Sequence, residues 1–169
     1  TGIEDFIALT EFWCGDNQLT SLDVSQNTAL TEFWCGDNQL TSLDVSHNTA
    51  LTLLYCDGNP LTSLDLSQNT ALYILSCSSN QLTNLDLSNN TALVVLDCRE
   101  NQLTSLDVRN GNNMNFYVTT VNCFFFSATG NLNLTCINVD DVAWSTTNWT
   151  TNITNCIGFS NIDEQQYFS

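Results

Sequence analysis

LTEFWCGDNQLTSLDVSQNTA, residues Leu9–Ala29, returns almost letter for letter at Leu30–Ala50, where His47 in place of Gln26 is the one change. Looser copies follow at Leu51–Ala71, Leu72–Ala92 and Leu93–Asn113. Self-similarity at a fixed period of about 20–50 residues marks a solenoid, in which each unit buries its apolar side only against its neighbours. A shorter period is nested inside: Leu9–Gln18 reads LxxFxCxxN and Leu19–Ala29 reads LxxLxVxxN. Apolar residues at alternate positions around Phe12-Trp13-Cys14 and Leu22-Asp23-Val24 predict two short strands per coil, and stacked coils then give two parallel sheets. Asn17, Asn38, Asn59, Asn80 and Asn101 fall at the turn after the first strand, and Asn27, Asn48, Asn69 and Asn90 after the second. A short amide at these turns can bond the backbone of a neighbouring coil.

Composition narrows the partners. Among 169 residues there are 18 acidic side chains against two basic ones, Arg99 and Arg109, for a net charge of −16. Such a charge repels phosphate backbones and argues against nucleic acid; anionic membrane surfaces are disfavoured for the same reason. Basic proteins, divalent cations and neutral glycans stay open. The apolar fraction of 43% is that of a folded protein. No apolar run approaches the ~18–20 residues of a membrane span. The chain starts at Thr1 and is expected to begin at a mature N-terminus or an expression boundary. Eight cysteines in an acidic, lysine-free, Asn/Thr-rich chain lean towards an extracellular or cell-surface location.

The pattern LxxLxCxxNxLxxLDLxxN, matched at nearly every position by Leu51–Ala71, resembles the bacterial 21-residue nested leucine-rich repeat class termed IRREKO-type. The resemblance covers Leu9–Asn113. It implies a right-handed solenoid arc with a non-enzymatic binding role in secreted or surface proteins, and such repeats are common in flavobacteria and their relatives. CINVDDVAWSTTNW, from Cys136 to Trp149, is similar to the cap that ends such arrays there. The expected fold is therefore a β-solenoid: a leucine-rich repeat arc with two short parallel strands per 21-residue coil and an irregular C-terminal cap. Residues 1–8 read as the remnant of an N-terminal coil or cap, with Ile3 aligned to Val24. Residues 9–113 are five repeats, 114–139 degenerate coils and 140–169 the cap. In the degenerate part Thr119 is placed at the cysteine position and Asn122 at the turn, and Leu134, Ile137 and Val139 fit one final strand.

Three columns bear on function. Cys14, Cys35, Cys56, Cys77 and Cys98 occupy a leucine slot and point inward, where a small apolar side chain packs a narrow interior. Cys123, Cys136 and Cys156 lie outside that column. One disulfide among them would staple an under-sized cap, with Cys136–Cys156 the favoured pair and both pairings of Cys123 left open. Asp23, Asp44, Asp65, Asp86 and Asp107 form a row of like charges spaced ~4.8 Å apart, which hydroxyl donors compensate or which calcium bridges. The structural reading is favoured, since this aspartate belongs to the repeat itself; the calcium reading is the weaker one, and no cofactor is otherwise implied.

The outward face of the first strand is the informative one. It reads Trp13, Trp34, Tyr55, then Ser76, Asp97 and Val118; beside it run Glu11, Glu32, Leu53, Ile74 and Val95, and then Gly15, Gly36, Asp57, Ser78 and Arg99. Asp16 and Asp37 close the strip. The opposite face barely changes from coil to coil. A recognising face must present different groups at different heights, and exposed aromatics are enriched at interfaces. Trp13, Trp34 and Tyr55, with Glu11, Glu32, Asp16, Asp37 and Asp57, are thus the candidate binding residues for a protein partner. A glycan-binding module using the same strip, and a purely structural adhesin or spacer segment, are the alternatives. Catalysis is not expected. There is one histidine, His47, no lysine and no phosphate-binding loop, so nucleophilic and phosphoryl chemistry have no cast.

Overall fold

The structure, a computed structural model, describes residues 2–111, 116, 126–149 and 167–168. The five repeats give five three-residue strands: β1 (Glu11–Trp13), β2 (Glu32–Trp34), β3 (Leu53–Tyr55), β4 (Ile74–Ser76) and β5 (Val95–Asp97). They pair in parallel and in register, Phe12 opposite Phe33, Phe33 opposite Leu54, Leu54 opposite Leu75 and Leu75 opposite Leu96. Strand alternation sends the middle residue inward, so Phe33, Leu54, Leu75 and Leu96 are buried with the leucines and valines of the far side of each coil. Each strand is too short to persist alone. It is held because the neighbouring coil takes its backbone bonds and covers its buried side. The architecture is the expected leucine-rich repeat β-solenoid.

Strand β6 (Leu106–Asp107) lies on the other side of the coil, whereas β7 (Phe126–Ser127) extends the first sheet by pairing Leu96 with Phe126 and Asp97 with Ser127. This corrects the register expected after Asn113. Ala128, not Thr119, follows Cys98 in the inner column, and Asn131, not Asn122, follows Asn101 at the turn, in each case after thirty residues rather than twenty-one. Ser127 likewise takes the outward place given to Val118. Thr119, Asn122 and Val118 lie outside the described residues, as do Cys123 and Cys156, and with them the favoured disulfide. The final strand appears where expected, as β8 (Cys136–Asn138), with Leu134, Ile137 and Val139 buried. A helix, α1 (Val142–Trp149), follows. Asp141 caps it, its carboxylate accepting the Trp144 N–H at 2.9 Å. Strand β9 (Tyr167–Phe168) completes a second sheet in the order β6-β8-β9.

The second strand of each coil is where the structure departs most from the pattern. Among the described residues, the LDV segments before Asp86 form no ladder, and Asp86 joins Asp107 only through an isolated bridge. Asp23, Asp44, Asp65, Asp86 and Asp107 each accept, through Oδ1, the backbone N–H two residues on, at 2.9–3.0 Å. This local turn recurs in every coil, in the unpaired LDV segments and at the paired Asp107 alike.

Two asparagine ladders bind coil to coil. Asn59 is representative of the first: Nδ2 donates to the carbonyls of Cys35 (3.1 Å), Cys56 (3.2 Å) and Asp57 (3.1 Å), while Oδ1 accepts the Leu40 N–H at 3.0 Å. In the second, Asn69 Nδ2 donates to the carbonyls of Val45 and Asn48, both at 3.0 Å. Asn27 does the same to Ile3 and Phe6 at 2.8 and 3.0 Å, which places Ile3 where Val24 stands one coil later. Among the described residues no helix is long and apolar enough to cross a membrane.

Candidate functional site

The outward side chains of β1 to β5 form two adjoining columns on one sheet face. The first, Trp13, Trp34 and Tyr55, is a continuous ring stack. Trp13 and Trp34 have centroids 5.4 Å apart with planes tilted by 43°, and Trp34 and Tyr55 lie 4.0 Å apart at 18°, nearly parallel. In-register parallel pairing dictates this, because it sets equivalent side chains about one strand spacing apart. Trp13 is 68% exposed, while Trp34 and Tyr55 are half-buried by their neighbours. Trp34 Nε1 is enclosed and has no acceptor. The stack ends at Ser76, which is buried, and at Asp97, whose carboxylate holds Arg99 through Nε at 2.8 Å and Nη2 at 2.7 Å.

The second column changes character midway, from Glu11 and Glu32 to the half-buried Leu53, Ile74 and Val95. The two columns together draw an apolar band that starts on the tryptophans and crosses over to Leu53, Ile74 and Val95. Tyr73, 52% exposed, adjoins the band. Sequence reading passed over it because it sits one residue before the strand, in a column that runs Thr10, Thr31, Thr52, Tyr73 and Val94. The replacement of threonine by an aromatic there was the available signal.

Along the other edge of the stack the chain turns, and acids gather. Asp16 and Asp37 adopt φ of 55° and 51°, and the equivalent residue in the third coil is Gly58 at 62°. The first two coils read Gly-Asp where the third reads Asp-Gly, so Asp57 comes to lie over Gly36. A Cβ on Gly36 would fall 3.1 Å from Asp57 Oδ2, and one on Gly58 only 2.3 Å from Asp37 Oδ1. Burial holds the Asp57 carboxyl above the usual range, and the Asp37 and Asp97 carboxylates add to this against bonds from its own N–H and from Ser76. Burial likewise pushes Tyr55 up, reinforced by Asp57 and Glu32.

The structure thus brings Glu11, Glu32, Asp16, Asp37 and Asp57 around the aromatic stack, with Asp16 and Asp37 exposed and Asp57 half-buried. The aspartate row lies elsewhere, beside shallow depressions lined by Ser42, Asp44, Ser63, Asp65, Asn84 and Asp86. Asp44, Asp65 and Asp86 are held below the usual carboxylate range, chiefly by bonds from the serine two residues on. Among the described residues no group of three or more His, Cys, Asp or Glu side chains is placed to hold a metal ion. The cysteine column is interior: Cys35, Cys56, Cys77 and Cys98 are fully buried thiols, raised by desolvation, and half-buried Cys14 is pushed up to about 11. None has the depressed pKa that a nucleophile or redox thiol needs.

Solved structures of bacterial and plant leucine-rich repeat proteins share this fold. The functional domain of InlJ from Listeria monocytogenes, which includes a cysteine ladder, is 28% identical over 99% of this chain and 49% of its own, with a TM-score of 0.60. Internalin C2 from the same organism matches 96% of this chain and 82% of its own at 16% identity and a TM-score of 0.61. The ectodomain of the Arabidopsis thaliana receptor kinase SOBIR1 matches 66% of this chain and 61% of its own at 27% identity and a TM-score of 0.53. The chain therefore spans about half the length of the InlJ domain. No family model matches the sequence, and no curated protein matches it significantly. The comparisons establish the leucine-rich repeat fold.

Proposed function

We propose that this chain is a non-catalytic recognition module, secreted or displayed at a cell surface, that binds a protein partner through the face bearing Trp13, Trp34 and Tyr55. One observation carries the reading. The ring stack and the apolar band next to it occupy the face whose residues change from coil to coil, while the Thr-Ser-Asp face repeats almost unchanged. Scaffold can repeat; a surface that discriminates must vary along its length. Membership of the nested 21-residue class and an extracellular location belong to the same proposal, supported by the repeat pattern and the bacterial leucine-rich repeat neighbours.

The test is a binding screen of the wild-type chain and the Trp13→Ala/Trp34→Ala variant against protein and glycan arrays. Loss of a protein ligand in the double variant is the expected result. Loss of a glycan ligand instead would transfer the face to a sugar. Binding unchanged by the substitutions would end both readings of this face, and a chain that retains no ligand at all would leave it a spacer.

A further inference from the structure

We infer that the partner surface recognised by this face is a basic-flanked apolar segment: exposed aliphatic or aromatic residues with lysine or arginine on either side. The inference rests on the protein-binding reading above and assigns the chemistry of the partner. Its first ground is the layout of charge. Glu11 and Glu32 border the stack on one side, and Asp16, Asp37 and Asp57 on the other, so the two tryptophans are edged by carboxylates on both sides and Tyr55 on one.

The second ground is that the chain has few cations of its own to set against these groups. It has two basic side chains, and both engage an aspartate two residues away, Arg99 with Asp97 at 2.7 Å and Arg109 with Asp107 through a bidentate pair of hydrogen bonds; Arg99 also attracts Asp57 through space. Asp37 lies close enough to Asp57, across the Gly36 and Gly58 turn, to oppose its ionisation. The third ground is the ring stack. Aromatic faces attract cations as well as apolar groups, so Trp13 and the flanking carboxylates favour the same partner side chains. A net charge of −16 extends the preference outward: it steers a basic partner in and repels an acidic one, including a second copy of this chain.

The experiment is an unbiased selection of random 12-residue peptides displayed on phage against the 169-residue chain. The winning sequences are then synthesised and titrated, following tryptophan fluorescence. The expected winners carry an apolar core flanked by lysine or arginine. Their affinity should fall about 10-fold or more between 50 and 500 mM NaCl, because screening removes the charge term. Asp37→Asn/Asp57→Asn should weaken binding about 3–20-fold, the combined effect of two partly exposed ion pairs. Asp44→Asn/Asp65→Asn removes the same net charge from the opposite face and should change affinity less than about 2-fold, as a screened, distant pair does. All three proteins are compared only after circular dichroism shows them equally folded.

Winners that are neutral or acidic and indifferent to salt, yet lost with Trp13→Ala/Trp34→Ala, would overturn the basic-partner inference and keep the face. Equal losses from the two aspartate pairs would also overturn it, by reducing the effect to bulk charge. Winners indifferent to Trp13→Ala/Trp34→Ala, or no enrichment at all, would remove the face reading and the inference with it.

Discussion

Asn59→Ala is the substitution that tests what holds the coils together. The Asn59 amide makes four bonds at 3.0–3.2 Å, three to carbonyls of its own and the preceding coil and one from the Leu40 N–H. Leu40 is fully buried, so truncation strands an N–H out of reach of water. An orphaned buried donor costs about 1–3 kcal/mol, and weakening the carbonyls adds roughly another 1–2. The sum, about 2–5 kcal/mol, is a large share of the roughly 5–15 kcal/mol that holds a typical domain together.

Asn17→Ala is the internal control. Asn17 donates to Cys14 and Gly15 at 3.1 and 2.8 Å, is exposed, and bonds carbonyls of its own coil only. Its loss should cost about 0.5–1 kcal/mol. Asn69→Ala falls between, because Asn69 donates twice but its buried Oδ1 accepts nothing, so no N–H is stranded. In urea melts followed by circular dichroism, at a slope of about 2 kcal/mol per molar, Asn59→Ala should lower the midpoint by roughly 1 M more than Asn17→Ala. Equal shifts for the three variants, or an Asn59→Ala shift within error of wild type, would refute the claim that the ladder's inter-coil bonds carry stability.

Other outcomes follow from the titrating groups. Asp57 has its folded pKa raised, so the stability it contributes is fully present below the unfolded pKa and is lost as pH rises through the folded one. Asp57→Asn should therefore be more stable than wild type at pH 7 and lose that advantage near pH 3, read from melting temperatures across pH. The aspartate row has the opposite sign: its contribution is present above the unfolded pKa and fades as pH falls through the lowered one. Since each of those carboxylates spends an oxygen on its own turn, the melting temperature should be the same in calcium and in chelator; a rise of several degrees with calcium would restore the row as a cation site. Iodoacetamide at pH 8 should mark Cys14 before any other member of the column, and Cys56 or Cys77 labelled in the native state would contradict their burial.

The fold was legible because a repeat multiplies a weak local signal. One LxxFxC segment proves little, but five in register leave few arrangements that bury Phe12, Phe33, Leu54, Leu75 and Leu96 together. Reading failed where the repetition lapsed. A thirty-residue step between Asn101 and Asn131 misplaced the sixth coil, and only the pairing of Leu96 with Phe126 reveals the shift. It failed again at the LDV segment, where alternation announced a strand but the segments before Asp86 form no ladder. The ring column could be read from spacing alone. The apposition of Asp37 with Asp57 could not, since it depends on the exchange of Gly-Asp for Asp-Gly between successive coils.

That exchange separates two populations of carboxylate that composition counts together. Asp44, Asp65 and Asp86 are ionised on favourable terms, each charge held by a backbone N–H and a serine hydroxyl, so the acidic row stabilises the turn it belongs to. Asp57 is ionised on unfavourable terms, half-buried and beside Asp37 and Asp97. Nothing in the repeat requires it, because the first two coils place glycine at the same point. A charge that the scaffold does without, and that weakens the free protein at neutral pH, recovers its cost when a cation docks against it and relieves the repulsion. The acidity of this chain therefore divides by face: on the uniform side it is structure, and beside the tryptophan stack it is charge set where a basic partner would dock.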